Sequence, residues 1–272
     1  MQQSQEQSQE QKPESKSIIE QLAKNKKENE TLLIRALLLG FSGTGKSVSS
    51  TTAPGKKLFL DFDGRASSLT QFPNVEVITI PEPDPENPSA WDTGKKILSQ
   101  IVSELAQGIF PYDSVIFDGI TMMGRVALNW SLLLDPKRGL GGGAAKQHYL
   151  PQMNELSKFI LTSLSLPIHI IYTAHLELVE DKAEETFFIL PKTTGKLRTE
   201  LPGWFNETYL TQKKESSSGI QYLWTFTGAG KYQFCKTAIS KAPVNSVINL
   251  NTSEPTGFSK YFKPLNKKGV SA

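Results

Sequence analysis

The chain has 272 residues, 38% of them hydrophobic and 21% charged, with a net charge of +3. That length provides one substantial core. The single cysteine, Cys235, excludes a disulfide framework and a four-cysteine zinc site and suits a reducing compartment, and no uncharged apolar run reaches the roughly 20 residues that span a bilayer.

In chain order, residues 1–30 open with "MQQSQEQSQEQKPESK", too poor in apolar side chains to offset the entropy of ordering, and are expected to form a disordered arm. Within it "SIIEQLAK" places Ile18, Ile19 and Leu22 on one face of a short helix, either a frayed turn or a peg for a neighbouring subunit. From residue 31 the texture changes. The runs "LLIRALLL", "KKLFLDFD", "VEVITI", "SVIFDG" and "IHIIYTAH" have the continuous apolar character of buried strands. Between them Trp91–Gln107, Ile120–Leu134 and His148–Leu164 carry helical spacing. This alternation predicts an α/β fold with a mostly parallel sheet covered on both faces. After Leu201, "FNETYLTQ", a polar turn "KKESSSG" and "IQYLWTFTG" predict an antiparallel hairpin. The expected organisation is thus an arm (1–30), a core (31–242) and a loop-rich basic tail (243–272). From Lys213 to the end, nine lysines face only Glu215 and Glu254, a local charge of +7 that leaves −4 for the rest. Such a bias suits either a polyanion-facing surface or a solvated tail.

The strand "LLIRALLL" runs into Gly40-Phe41-Ser42-Gly43-Thr44-Gly45-Lys46-Ser47, a full G-x-x-x-x-G-K-S match between a strand and a helix-compatible segment. Glycines at these positions let successive N–H groups point inward as a nest for phosphate oxygens, and a helix starting near Lys46 would add its positive end. Lys46 would reach the β- and γ-phosphates, and Ser47 would hold Mg²⁺. "YDSVIFDG" sets Asp118 at a strand's carboxyl end, either as the carboxylate organising that ion or as a helix cap. One strand and one helix separate the two motifs, which suits an ATPase with an extra strand between the two nucleotide-binding strands. "LFLDFDG" offers Asp61 and Asp63, either able to orient a water, with a turn role expected for at least one. His175 closes another strand and could sense the γ-phosphate, whereas His169 lies inside that strand as a packed residue and His148 opens a helix.

The ordered set "GFSGTGKS", "APGKKLFLDFDG", "YDSVIFDGIT", "IYTAH" and "GKLRTELPGWFNETYL" resembles the phage-encoded RecA-like P-loop proteins, including single-strand annealing and recombination ATPases, from about Leu32 to about Lys241. The resemblance implies ATP and Mg²⁺ as cofactors. It implies that Gly40, Ser42, Gly43, Thr44, Gly45, Lys46, Ser47 and Val48 bind the nucleotide, that Ser47 and Asp118 hold the metal, and that His175 is the sensor. Asp63 occupies the place of the family's water-polarising glutamate, a shorter side chain that points to slow hydrolysis, since misplacement by about 1 Å costs roughly 100-fold. Homo-oligomers, rings or filaments, are implied as well, in which a basic residue of one subunit reaches the next subunit's nucleotide. Lys231, Lys236 and Lys241 are the candidates, Lys236 first.

For single-stranded DNA, "DPKRGLGGGAAKQHY" supplies Lys137, Arg138 and Lys146, while "LELVEDKAEETFF" after His175 is too acidic to attract phosphate. Tyr222, Trp224, Phe226, Tyr232 and Phe234 among the C-terminal lysines would either stack on bases or pack on the sheet. The expected function is a cytoplasmic ATPase (host cytoplasm for a viral protein) that binds single-stranded DNA and no membrane. The alternatives are an ATP-gated assembly protein without a DNA role and a small-molecule phosphotransferase, the latter disfavoured by only five arginines and no arginine-rich lid.

Overall fold

The apolar runs fold as strands because each is buried on both faces, so alternation is not required of them. In the computed structural model, which describes residues 32–137, 143–181, 186–217, 219–228, 230–250 and 256–265, these are β1 (Arg35–Leu39), β2 (Lys57–Asp61), β3 (Val75–Thr79), β4 (Ser114–Asp118) and β5 (His169–Ala174). Only β3, at the sheet's edge, shows a mixed burial pattern. The five strands are parallel neighbours in the order β1-β5-β4-β2-β3. β5 therefore separates β1 from β4, as expected from the spacing of the two motifs. On the far side of β1 comes β8 (Glu207–Ser216), also parallel, followed by β9 (Gly219–Thr225), antiparallel to β8, and β10 (Asn245–Ile248), antiparallel to β9, which completes an eight-stranded sheet. The expected hairpin is β8–β9, with Lys213, Lys214 and Glu215 inside β8 rather than in the turn.

Helices at Lys46–Ser50 (α1), Ala90–Ala106 (α2), Ile120–Leu132 (α3), Lys146–Leu164 (α4) and Leu197–Glu200 (α5) complete the core. The strand pleat sends Leu37, Leu39, Leu60, Phe117 and Tyr172 to one face, where α2, α3 and α4 cover them. Phe117 and Tyr172 stack there at 4.6 Å. Ala36, Leu38, Phe59, Ile116 and Ile171 point to the other face, which no long helix covers among the described residues. Its lid is aromatic: Tyr209, Trp224 and Phe226 from β8 and the β9 segment, with Phe258 and Phe262 from beyond β10. Phe258 is fully buried, 4.7 Å from Trp224, and its N–H donates to Thr52 Oγ1 at 2.9 Å. Residues 243–272, expected as a loop-rich tail, thus supply a strand and two core aromatics.

Two polar fastenings hold the amino edge of the sheet. The Arg35 guanidinium donates to the carbonyls of Leu164, Leu166 and Ile168, closing the end of α4 and the turn into β5, and burial lowers its pKa to about 10. His169 accepts the Ile34 N–H on Nδ1 at 3.0 Å and lies 3.2 Å from the Lys263 carbonyl through Nε2, so the neutral ring with its proton on Nε2 ties β1, β5 and the C-terminal segment. Burial pushes its pKa down to about 4.

Two further strands were not foreseen. β6 (Leu176–Asp181) and β7 (Thr186–Pro191) form a separate antiparallel ribbon where a loop is expected from "LELVEDKAEETFF". After β9 the chain makes a 3₁₀ turn (Gly230–Tyr232) and a single antiparallel bridge from Lys236 to Thr208. The arm and residues 138–142 of the glycine-rich loop, Arg138 among them, lie outside the described residues. Among the described residues no helix is long and apolar enough to cross a membrane.

Truncating Phe258 to Ala should cost about 3–5 kcal/mol of unfolding free energy in urea titration, the range for a buried phenylalanine, whereas a solvated tail would lose nothing measurable. Because the folded-state pKa of His169 is depressed, its contribution is complete above the unfolded value near 6.5 and is lost as pH falls toward about 4. Unfolding titrations at pH 7 and pH 5 should show a drop that His169→Gln reduces, up to about 3 kcal/mol at the acid limit.

Candidate functional site

Register brings the sequence motifs to one edge. Leu39 pairs with Ala174, Phe117 with Tyr172 and Asp61 with Asp118, so the strands β1, β5, β4 and β2 end level with one another. The residues that follow them, Gly40 onward, His175, Gly119 and Phe62–Asp63, therefore converge at the carboxyl edge, where open α/β sheets bind ligands. A cleft of about 220 Å³ lies there, lined by Ser42, Gly43, Gly45, Lys46, Ser47, Val48, Asp63, Arg65, Asp118, Gly119, Thr173, Ala174 and His175.

The loop after β1 takes its shape from glycine. Gly43 (φ 76°) and Gly45 (φ 82°) both adopt the left-handed conformation, which turns successive amides toward the cleft as an anion nest. The helix behind it, α1, is only five residues long, shorter than the motif suggests. Its sequence explains this: Ser49, Ser50, Thr51 and Thr52 each donate a hydroxyl to the carbonyl three residues back, and Pro54 follows. The Lys46 ammonium lies folded against the loop, donating to the carbonyls of Gly40 (2.9 Å) and Phe41 (2.8 Å). Burial lowers its pKa, opposed by Asp118 and Asp63. Gly40 and Thr44 shape the loop rather than line the cleft. Thr44 Oγ1 meets the Phe41 carbonyl at 2.9 Å and Thr211 Oγ1 at 2.7 Å, and Thr211 donates to the Leu39 carbonyl at 3.0 Å, which braces the loop against β8.

Asp118 is nearly inaccessible, and burial pushes its carboxyl up to about 6 despite two stabilising donors. Ser47 Oγ donates to its two oxygens at 3.0 and 2.8 Å, and Thr173 Oγ1 donates to Oδ1 while accepting the Gly119 N–H at 2.9 Å. Thr173 thereby orients a carboxylate two strands away from the phosphate loop.

The two aspartates of "LFLDFDG" separate into different roles. Asp61 is fully buried and accepts the N–H groups of Gly64 and Ala66, both at 2.8 Å, so it builds the turn. Asp63 faces the cleft. It leans over Gly119, where a Cβ would stand 2.5 Å from Asp63 Oδ1, so a residue without a side chain at 119 is what lets the shorter carboxylate approach. Burial raises the Asp63 pKa, with His175 and then Arg65 opposing. His175 Nε2 lies 3.9 Å from Asp63 Oδ2, and burial followed by the Lys46 charge lowers its pKa.

The expected trans cation, Lys236, is absent from this cleft. It lines a different groove beside Phe188, Pro202 and Phe234, with its Nζ 3.5 Å from the Gly203 carbonyl. The cleft's second cation is Arg65, two residues after Asp63, which the sequence pattern did not single out. Trp224 and Phe226, considered for base stacking, are both fully buried. His148 caps α4 by accepting the Ala145 N–H at 2.8 Å and meets Asp135 at 3.1 Å. Burial pushes the Cys235 thiol up to about 11, an inert packed side chain.

The donor set fits a magnesium nucleotide. One carboxylate and one hydroxyl, 2.8 Å apart at the end of the nest, are hard oxygen ligands of the kind Mg²⁺ takes together with phosphate oxygens and water. Among the described residues no group of three or more His, Cys, Asp or Glu side chains offers an all-protein metal cage.

A search of curated proteins returned no match. Among solved structures, the KaiC-like protein PH0186 of Pyrococcus horikoshii OT3 superimposes with a TM-score of 0.43 at 8% identity, covering 80% of this chain and 86% of that one. The flagellar accessory protein FlaH of Methanocaldococcus jannaschii gives 0.41 at 12%, covering 84% and 91%. Both likenesses are distant, and the strand order carries the fold assignment: a RecA-like P-loop sheet with β5 between the two nucleotide-binding strands. Residues 33–243 match the family model described as an AAA domain, and the chain belongs to that family.

Proposed function

We propose that the protein is a self-associating, Mg-ATP-dependent RecA-like ATPase that acts on single-stranded DNA in phage recombination, annealing or replication. The observation that carries the nucleotide chemistry is the convergence of Lys46, Ser47, Asp118, Asp63 and His175 in one cleft at the carboxyl edge. In this reading the amides of Gly43–Val48 cradle the phosphates, and Lys46 exchanges its loop carbonyls for β- and γ-phosphate oxygens. Ser47 and Asp118 would hold the metal, which would offset the charge of the phosphates. Asp63 orients the attacking water. His175, hydrogen-bonding the γ-phosphate, reports its loss to the β6–β7 ribbon that begins at the next residue. Arg65 supplies positive charge for the transition state from within the subunit, and Lys236 from the neighbour.

The DNA role draws its support from the resemblance of the motif set and from Lys137 and Lys146, both exposed and flanking the glycine run. Burial of Trp224 and Phe226 removes two stacking residues from it, and this favours as second reading an ATP-gated assembly protein with slow hydrolysis and no direct DNA contact.

Lys46→Ala should abolish ATP binding in calorimetry, and retained affinity would remove the phosphate loop from the account. Asp63→Asn should leave binding intact and slow steady-state phosphate release by about 100-fold or more, the scale of a displaced catalytic group; an unchanged turnover excludes Asp63 as the water-orienting group. Adding single-stranded DNA should raise turnover, with affinity that falls steeply as salt rises. Turnover indifferent to DNA at every salt concentration selects the assembly reading.

A further inference from the structure

The acidic end of the cleft, marked by Asp63, Asp118 and His175, is where the terminal phosphate belongs in the reading above. A triphosphate so placed directs its nucleoside away from those residues, past Gly45 and Val48. The side chains standing there come from the C-terminal strands. A Cβ on Gly45 would lie 2.7 Å from Leu250 Cδ1 and 3.1 Å from Tyr222 Cδ1, so both side chains rest directly on the loop. Val48 and Leu250 pack against the same aromatic core, which fixes that wall relative to the loop.

Tyr222 and Leu250 are each half-buried, in contact with the loop and partly accessible. Directly across the ladder from Tyr222 is Lys213, exposed and on the same face, and two residues along β9 is Ile220, 54% exposed. The surface beside the phosphate loop is therefore an aromatic ring and branched aliphatics with one cation at the rim. Its chemistry suits a flat heteroaromatic ring. The neighbouring aromatics, Tyr209 of β8, Trp224 of β9 and Phe226 just after it, are sealed in the core, which leaves Tyr222 as the partly accessible ring of the hairpin next to the loop.

We propose that Tyr222 and Leu250 form the base subsite of the nucleotide site, Tyr222 by stacking on the base and Leu250 by closing its edge against the loop, with purine nucleoside triphosphates preferred over pyrimidine ones for their larger stacking area. The assignment rests on the phosphate-site reading and adds to it the ligand's nucleoside half. It gives the antiparallel extension of the sheet a role, since β9 and the residues after β10 deliver both side chains.

Inorganic tripolyphosphate separates the two halves. With Mg²⁺ present, calorimetry on the full chain should show Tyr222→Ala weakening ATP binding about ten- to a hundredfold, the usual range for loss of one base-stacking aromatic, while tripolyphosphate affinity stays within about twofold. Tyr222→Trp should restore ATP affinity, and wild-type protein should bind ATP more tightly than CTP, a margin that Tyr222→Ala erases. Equal losses of ATP and tripolyphosphate affinity in Tyr222→Ala would overturn the proposal and make Tyr222 a support for the loop; so would unchanged ATP affinity. If wild-type protein binds neither ligand, the phosphate-site reading itself falls. If it binds both and only Lys46→Ala loses both, that reading stands whatever Tyr222 does.

Discussion

The site depends on the level alignment of four parallel strands. Each strand contributes little chemistry alone: β1 ends in a glycine loop, β4 in Asp118, β5 in Thr173 and His175, and β2 leads to Asp63. Hydrogen bonding in register, with Leu39 beside Ala174 and Asp61 beside Asp118, sets those ends at one height. A slip of one residue would turn every side chain of a strand to the opposite face. It would bury Phe117's partner set in the wrong core and carry Asp118 out of reach of Ser47. Packing of the two cores therefore enforces the geometry of the cleft, because the same pleat that sorts Leu37 from Leu38 also places the site residues.

Inside the cleft the charges are held in a tense but satisfied state. Asp118 loses most of its solvent, and burial raises its carboxyl pKa to about 6. The hydroxyls of Ser47 and Thr173 keep its oxygens occupied, and the ammonium of Lys46 is parked on two loop carbonyls rather than in water. Such groups exchange partners at low cost when a polyanion and a cation arrive together, since each already sits in a low-dielectric surrounding where new electrostatic contacts are strong. Asp63 illustrates the role of a missing side chain: only a glycine at 119 leaves it room.

The sheet's two faces are protected unequally. Three long helices cover one, while the other relies on aromatic rings from β8, β9 and residues 256–262. That arrangement draws the C-terminal segment into the fold and puts Tyr222 and Leu250 beside the phosphate loop. It also withdraws Trp224 and Phe226 from any surface role, because both rings are fully buried in that core.

Much of this was legible in the amino-acid order. The phosphate loop, the five parallel strands, the three long helices and Asp118 at its strand end are written in local terms: continuous apolar runs, 3.6-residue spacing and a glycine pattern that only backbone geometry explains. The β6–β7 ribbon was also readable in principle from the alternation in "LELVE", but its acidic side chains masked a period of two. Other features were beyond local reading. Asp61 and Asp63 have the same chemistry and spacing, and only the turn at Gly64–Ala66 makes one a structural anchor and leaves the other facing the cleft. Arg65 and Thr173 reach the cleft, and Tyr222 and Leu250 reach the loop, through strand pairing and chain reversal, and Phe258 acquires its burial from partners such as Thr52, far away in sequence. Sequence determined most of the parallel strands, the long helices and the glycine loop at the end of β1; tertiary structure decided which side chains surround that loop, because that depends on contacts between segments that carry no periodic trace of one another.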